Sequence, residues 1–285
     1  MTALFFGESK SPLFGVLHEP APGTELHHAV LVCPPIGQEH VRSHWALRQL
    51  GSALARSGHH VLRFDWFGVG DSAGDLTTAS LDRWVEDAAT AAEELRDSTG
   101  IRRVSIVGLR LGATLAMLAA KAIKPATLVL WDVVADGDAY IEGLRALHEA
   151  ALHDEKRFWP EWPRAVRPYV ERIAPGRARP REREHDELIG VRMSHELTAA
   201  IRAVDVARLA DLPKTRVFAV SSAPNEDADK LWDELAERNV HVDRATTRMQ
   251  TRWADVSQLE ELLLPADAIR TILRALDQRK TKGTP

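Results

Sequence analysis

The run GLRLG at residues 108–112 puts a charged side chain at a point where the chain turns sharply from a strand into a helix. It follows the β-branched run RVSIV, residues 103–107, and precedes an Ala- and Leu-rich stretch, residues 111–122. Glycines on both sides of the centre permit a tight turn that brings backbone segments close together. The central residue of such a turn is the place for a nucleophile. Here it is Arg110, whose guanidinium only donates hydrogen bonds and cannot attack a carbonyl carbon.

A cation at this turn needs an anion nearby. The side chain faces the positive end of the helix dipole, an unfavourable contact of roughly 0.3–1 kcal/mol. Asp132, Asp65, Asp71 and Asp136 follow predicted strands and belong to the same sheet edge. Two interpretations stay open for Arg110. It forms a salt bridge with one of these carboxylates, or it binds a carboxylate, a phosphate or a thioester carbonyl of a ligand.

The segment QEHVRSH, residues 38–44, adds candidate proton carriers and a second cation. His40 or His44 could act as a base, and Arg42 could hold a negative group. The two histidines are four residues apart, a spacing that suits a metal pair on one helical face. The sequence has neither an HExxH pattern nor an obvious third ligand, so no metal site is predicted.

Two other residues imitate nucleophiles. Ser72 lies in GDSAG, residues 70–74, which fits the pattern G-x-S-x-G but precedes a loop and not a long apolar helix. Because the motif requires a strand–turn–helix context, we interpret Ser72 as a loop residue. Cys33 ends an apolar run and precedes two prolines, which favours a buried small hydrophobe.

The elements that must position these residues alternate along the chain. Apolar runs predict strands at 29–33, 60–65, 103–107, 126–131, 216–221 and 240–245. Stretches with 3.6-residue periodicity predict helices at 45–56, 81–96, 111–122, 227–238 and 265–276. This alternation is typical of an α/β protein with a mostly parallel, doubly wound sheet covered on both faces.

The alternation breaks between residues 133 and 211. This stretch is too long for a simple crossover and predicts an inserted helical cap on a core formed by 1–132 and 212–278, with a tail at 279–285. Trp131, Tyr140, Trp159 and Trp162 could line an apolar pocket under the cap or pack within it. The alternating charges of residues 176–184 indicate a solvated loop.

Several of these segments together resemble the α/β-hydrolase superfamily. They are GLRLG, the loop DWFGVGDSAG at residues 65–74 and CPPIG at residues 33–37. The sequence is more closely similar to the exosortase-A-system-associated hydrolases (type 2) and their relatives in biosynthetic gene clusters. The segments PPIGQEHVRSHWALRQL, LRFDWFGVGDSAGD, GLRLGATLA, LWDVVADGDAY and ELIGVRMSHELTAAIRAVDV carry this similarity. It extends from about residue 13 to residue 276 and implies an α/β-hydrolase fold.

The resemblance also implies a site from which two expected residues are missing. Superfamily members carry a serine where this chain has Arg110, and a histidine in the loop before the last helix. Here that loop is residues 250–255, and no histidine follows His241, which its apolar neighbours place within a strand. Glu226 or Asp227 could stand at the position of the acid, although helix capping explains either equally well. A conventional Ser-His-Asp mechanism is therefore not expected.

Two hypotheses follow for the function. In the first, which the sequence slightly favours, an enzyme acts on an ester, a thioester or a carrier-bound acyl intermediate through Arg110 and the amides of Ile36 and Leu111. In the second, a non-catalytic pseudo-hydrolase serves as a binding or scaffold protein. The predicted catalytic residues are Arg110, His40, His44 and Asp132. The predicted substrate-binding residues are Ile36, Gly37, Arg42, Leu111, Asp71, Asp136, Tyr140 and Trp253.

Composition limits the partners. A net charge of −4 gives no general attraction to nucleic acid or to anionic lipid. The single cysteine excludes an internal disulfide. The first residues lack a signal-peptide pattern, and no apolar run approaches the length of a membrane span, so a cytoplasmic protein is expected. No cofactor is expected, the expected partner is a small-molecule or carrier-bound acyl substrate, and a homodimer is left open.

Overall fold

An eight-stranded sheet forms the centre of the molecule in the computed structural model, which describes residues 1–153, 185–248, 253–254 and 265–277. The strands along the chain are β1 (Thr2–Phe6), β2 (Leu13–His18), β3 (Ala29–Cys33), β4 (His60–Phe64), β5 (Val104–Leu109), β6 (Thr127–Trp131), β7 (His185–Leu188), β8 (Val191–Ser194), β9 (Arg216–Ser221) and β10 (Val242–Thr246). The order in the main sheet is β1-β2-β4-β3-β5-β6-β9-β10. From β4 to β10 all neighbours are parallel, while β1 and β2 pair antiparallel at one edge.

Helices cover both faces of this sheet. They are α1 (Gly37–Arg56), α2 (Leu81–Thr99), α3 (Leu111–Ile123), α4 (Gly137–His153), α5 (His195–Arg202), α6 (Val206–Leu209), α7 (Glu226–Glu237) and α8 (Ala266–Leu276). All residues of β3 are buried, and their side chains alternate between two apolar clusters. Leu31 packs in the cluster that includes α2 and α3, and Val30 and Val32 in the cluster that includes α1 and α8. The predicted doubly wound α/β fold is confirmed.

The sheet brings the carboxyl ends of three central strands together. Cys33 of β3 lies opposite Gly108 of β5, and Leu109 lies opposite Trp131 of β6. The residues that follow these strands therefore meet at one edge, which places Arg110 and Asp132 side by side. Ligands of open α/β sheets bind at this edge.

The sequence analysis missed two features of the core. Helix α1 begins at Gly37, whereas the sequence predicts a start at residue 45. The earlier start is not evident from the sequence, because residues 37–44 are polar and show no clear apolar period. The β1–β2 hairpin was not predicted. β1 is mostly exposed at the sheet edge, and Gly15 interrupts the apolar residues of β2, so neither strand has the continuous buried run that identifies a central strand.

The predicted cap region, residues 133–211, contains more than helices. Its described part holds α4, α5 and α6 together with the antiparallel hairpin β7–β8. The hairpin lies against the start of α1, where Gln38 Nε2 donates to the carbonyl of Ile189 and Val191 contacts Gly37. Trp159, Trp162, the charged loop at 176–184 and the tail at 279–285 lie outside the described residues. Among the described helices, none has the length and apolar character needed to cross a membrane.

Candidate functional site

Arg110 occupies a strained turn between β5 and α3. Its backbone has φ 54° and ψ −125°, in the left-handed half of conformational space. A Cβ on Gly112 would lie 2.3 Å from the carbonyl oxygen of Pro34, and one on Gly108 would lie 2.4 Å from the Cα of Ala113. Glycine is therefore required at both positions, which confirms the predicted strand–turn–helix.

The anion that Arg110 needs is Glu39, in the first turn of α1. Arg110 Nε donates to Glu39 Oε1 at 2.8 Å, and one Nη donates to the backbone carbonyl of Asp132 at 3.2 Å. The Tyr140 hydroxyl of α4 donates to Glu39 Oε2 at 3.0 Å. The Arg110 guanidinium carbon lies 5.5 Å from the centre of the Tyr140 ring. We call these three side chains the Arg110–Glu39–Tyr140 network.

This network is largely excluded from water. The Glu39 side chain is 2% exposed and that of Arg110 is 23% exposed. Burial by itself would lower the pKa of Arg110, but the adjacent Glu39 carboxylate outweighs it, so the pKa is raised. Burial, followed by the negative charge of Glu39, raises the pKa of the Tyr140 hydroxyl. Arg110 and Tyr140 thus stay protonated as hydrogen-bond donors.

Sequence reasoning missed Glu39. The four aspartates were considered as partners of Arg110, but α1 was predicted to start after this residue. The available signal was an acidic residue two positions beyond CPPIG, since carboxylates are favoured in the first turn of a helix. Arg110 does form an ion pair, but the predicted partners are wrong, since the carboxylate is that of Glu39 and not of one of the four aspartates.

Asp132 binds other groups with its carboxylate. Its Oδ1 accepts from the backbone N–H of Ser222 at 2.6 Å. Its Oδ2 accepts from the Ser222 hydroxyl at 2.6 Å and from Trp253 Nε1 at 2.7 Å. Asp132 therefore ties the end of β6 to the end of β9 and to the segment before α8. Its backbone carbonyl contacts Arg110, but its side chain fixes the surrounding loops.

A cavity of about 570 Å³ opens beside the network. Its walls include Glu39, Arg110 and Asp132 on the polar side and Trp232 and Trp253 on the apolar side. Arg110 has five N–H donors, and two of them are used by Glu39 and by the Asp132 carbonyl. The other three have no partner within the described residues, and the side chain, which is 23% exposed, forms part of the cavity wall. This space is called the main cavity below.

The charge of the main cavity is unbalanced. Of the described side chains that line it, Arg110 is the single cation, against the carboxylates of Glu39, Asp132, Glu226 and Asp227. Asp227 also pairs with Lys230 at 2.8 Å, and this pair is on the surface. A free carboxylate or phosphate would approach an already negative wall. The cavity is better suited to a neutral group that accepts hydrogen bonds.

The structure does not bring the predicted histidines to Arg110. His40 and His44, together with Asp71, line a second cavity that shares no described lining residue with the main cavity. Residues 39 and 40 are consecutive on the helix, so their side chains point about 100° apart and face different spaces. Arg42 also lies on α1, half buried, and is not among the described residues that line either cavity.

The remaining predicted binding residues have structural contacts. Asp136 Oδ1 accepts from the N–H of Ala139 and caps the start of α4. Ile36 precedes α1, and with Gly37 it lines a small recess that also contacts Tyr140. Leu111 is the first residue of α3 and is fully buried. No group of three or more His, Cys, Asp or Glu in the described part is arranged to hold a metal.

Of the two other residues with nucleophilic side chains, Ser72 is hydrogen-bonded and Cys33 is buried. The Ser72 hydroxyl donates to the Asp65 carbonyl at 2.6 Å and accepts from the N–H of Phe14 at 2.8 Å, as expected of a loop residue. Burial raises the pKa of the Cys33 thiol well above its usual value. His241 was predicted to lie within a strand, which is wrong. It precedes β10, and its side chain is 87% exposed.

The strand order of the sheet, the turn at Arg110 and the helices on both faces define an α/β-hydrolase fold. The family model described as serine aminopeptidase, S33, matches residues 27–211, which is more than half of the 285 residues. The chain therefore belongs to this family of α/β hydrolases. None of the curated proteins compared with the sequence matches it.

Solved structures show the same fold at low identity. A hydrolase from Pseudomonas aeruginosa PA01 is 23% identical, with a TM-score of 0.57, covering 97% of this chain and 98% of that one. XC6422 from Xanthomonas campestris, an α/β serine hydrolase without a lid, is 17% identical, with a TM-score of 0.57 and coverages of 100% and 96%. A proline iminopeptidase from Mycobacterium smegmatis is 17% identical, with a TM-score of 0.61 and coverages of 99% and 99%. These likenesses establish the fold and leave the activity open.

Proposed function

We propose that this protein binds an ester, a thioester or a carrier-bound acyl group in the main cavity, with the carbonyl oxygen accepting hydrogen bonds from Arg110. One observation carries the proposal. Glu39 fixes the guanidinium through Nε, and Arg110, with donors that have no partner among the described residues, lines a cavity of about 570 Å³. That volume lies within the roughly 300–1,000 Å³ of pockets that enclose a small organic ligand.

The charges of the cavity favour a carbonyl over an anion. Its carboxylates outnumber its one described cation, so a second negative charge would be repelled. A carbonyl oxygen has two lone pairs and no net charge, and it can accept from the guanidinium without that penalty. The apolar walls at Trp232 and Trp253 suit the acyl chain. This preference narrows the sequence-based hypothesis, which also included carboxylate and phosphate ligands.

The described contacts favour binding over catalysis as the main role. Glu39 accepts from both Arg110 and Tyr140, and Asp132 accepts three hydrogen bonds from Ser222 and Trp253. Both oxygens of each carboxylate are therefore already hydrogen-bonded to donors of the protein itself. The histidines considered as bases, His40 and His44, line the second cavity. This argument supports the pseudo-hydrolase hypothesis.

The second candidate function is hydrolysis without a serine nucleophile. It is favoured by one observation, that Glu39 and Arg110 line the same cavity in direct contact. Water would attack the carbonyl carbon held by Arg110, one of its protons would pass to Glu39, and the same proton would then pass to the departing alkoxide or thiolate. The resemblance to biosynthetic-cluster hydrolases supports a cytoplasmic acyl intermediate on a carrier protein as the substrate for either function.

The two functions are separated by one set of measurements. The full chain is titrated with acyl N-acetylcysteamine thioesters of increasing chain length by calorimetry, and the same compounds and p-nitrophenyl esters are assayed for turnover. We expect binding without turnover, weakened at least tenfold in Arg110→Gln. The control Arg244→Gln, at an exposed arginine of β10 outside the main cavity, should bind as the wild type does.

The other outcomes are equally informative. Turnover that is lost in both Arg110→Gln and Glu39→Gln would replace the binding proposal with hydrolysis. Binding that is equal in Arg110→Gln and in the wild type would overturn the role of Arg110 in both functions. An absence of binding and turnover across the whole series would overturn acyl compounds as the ligand class.

A further inference from the structure

A second cavity, of about 250 Å³, lies beside β4 and shares no described lining residue with the main cavity. We call it the β4 cavity. Helix α1 contributes to the walls of both spaces, with Glu39 lining the main cavity and His40 lining the β4 cavity. The polar residues of the β4 cavity are His40, His44, Arg63, Asp65 and Asp71, and its apolar walls include Phe14, Val16 and Leu47.

Arg63 is a charged side chain of the β4 cavity that has no ion pair among the described residues. It lies on β4 and is half buried, and its Nε donates to His18 Nε2 at 3.0 Å. Burial lowers the pKa of His18 to about 4, so this histidine is a neutral acceptor near pH 7 and supplies no negative charge. Within the described residues, no carboxylate oxygen lies within 4.0 Å of Arg63 and its Nη atoms have no partner.

The carboxylate of Asp65 is held by other groups. Asp65 Oδ2 accepts from the backbone N–H of Asp71 at 3.1 Å. Asp65 Oδ1 lies 3.5 Å from His40 Nε2. Burial lowers the pKa of Arg63, the negative charge of Asp65 only partly opposes this effect, and the positive charge of Arg48 adds to it. A half-buried guanidinium without a paired anion is costly, because its lost hydration is not replaced.

We propose that the β4 cavity binds a small monocarboxylate, whose two oxygens accept hydrogen bonds from the Nη atoms of Arg63 while its short apolar chain lies against Phe14, Val16 and Leu47. The planar guanidinium matches the two oxygens of a carboxylate, and Nε is already oriented by His18. The volume is below that of pockets for drug-sized ligands, which limits the chain to a few carbons.

The acidic residues of the cavity set the limit on ligand charge. Asp65 and Asp71 lie on its wall, but among the described residues Arg63 has no ion pair, whereas Arg110 in the main cavity is already paired with Glu39. A single negative charge on the ligand would supply the missing partner of Arg63, while a doubly charged anion would meet additional repulsion from the two aspartates. Butyrate should therefore bind more tightly than inorganic phosphate. The neutral ester methyl butyrate, which cannot form the two charge-assisted hydrogen bonds, should bind much more weakly than butyrate.

The test is calorimetric titration of the full chain with acetate, butyrate, phosphate and methyl butyrate. We expect butyrate to bind, more tightly than acetate because of its longer apolar chain, and at least tenfold more weakly in Arg63→Gln. Arg63→Lys, which keeps the charge but loses the planar fork, should also bind more weakly than the wild type. The control is Arg238→Gln, because Arg238 pairs with Glu234 away from the β4 cavity and does not line it.

Each alternative outcome contradicts the proposal. Equal affinity in Arg63→Gln and in the wild type would exclude Arg63 as the carboxylate site. Tighter binding of phosphate than of butyrate would overturn the ligand class. Butyrate binding that is lost in Arg110→Gln and kept in Arg63→Gln would place the ligand in the main cavity. If Arg63→Gln does not fold, as judged by circular dichroism, equal butyrate affinity of Arg63→Lys and wild type is the refuting result. The proposal does not depend on the acyl-binding function.

Discussion

The ion pair between Arg110 and Glu39 allows a quantitative prediction. With the charge centres about 4 Å apart and an effective dielectric constant near 20, their attraction is about 4 kcal/mol. Most of this gain is offset by the lost hydration of two buried charges. Removing only one partner lowers the free energy of unfolding by about 3–5 kcal/mol, because the other charge stays buried and loses its compensation.

The exposed fractions decide how much of that cost each variant shows, because an exposed charge recovers part of its hydration. Glu39→Gln leaves Arg110 unpaired, but the Arg110 side chain is 23% exposed and can recover some hydration. We expect a loss of about 2–3 kcal/mol in the free energy of unfolding. Arg110→Gln leaves the Glu39 carboxylate, only 2% exposed, with Tyr140 as its remaining donor. We expect a loss of about 3–5 kcal/mol. In the double variant two neutral amides face each other, so its loss should fall at least about 1 kcal/mol below the sum of the single losses.

The assay is urea unfolding of the four proteins at one pH, followed by circular dichroism. The control is Arg238→Gln, which breaks an exposed pair with Glu234 at 2.7 Å on α7 and should cost less than about 1 kcal/mol. Additive single effects, or a Glu39→Gln loss no larger than that of the control, would refute the reasoning that the pair is buried and coupled.

Two further predictions concern stability. Burial lowers the pKa of both His18 and His28 to about 4 in the folded chain, against about 6.5 when unfolded, so the stability present above pH 6.5 is lost as the pH falls toward 4. Each histidine should account for about 1.5 kcal/mol of the loss in unfolding free energy between pH 6.5 and pH 5. Urea titrations at the two pH values should show a smaller loss for His28→Gln than for the wild type. An equal loss in the two proteins would contradict this. Gly112→Ala should prevent folding or greatly destabilise the protein, because the added methyl group would clash with the Pro34 carbonyl. By contrast, Gly143 lies on α4 with open space around it, so Gly143→Ala should raise the unfolding free energy by about 0.5–1 kcal/mol. Thermal melts of the two variants test this pair, and equal effects would show that the close approach at Gly112 is not limiting.

Much of the framework was predictable from local sequence. Buried parallel strands such as β3 and β9 are short apolar runs bounded by polar or turn-forming residues, and their predicted bounds match the structure. The turn at Arg110 was predictable because its glycines are needed for backbone geometry, which is a local property. The polar start of α1 was not, since nothing in residues 37–44 has a helical apolar period.

The sequence by itself determined the α/β fold, the presence of a cation at the strand–helix turn and the need of that cation for an anion. Tertiary structure alone decided which anion it is. Arg110 and Glu39 are 71 residues apart, and they meet because β3 and β5 are neighbours whose carboxyl ends align. The same packing places the Asp132 carboxylate within hydrogen-bond distance of Ser222 and Trp253, and it places His40 on the wall of the β4 cavity. Partner choice depends on the three-dimensional distances between charges, and these are set by strand order, strand register and helix rotation.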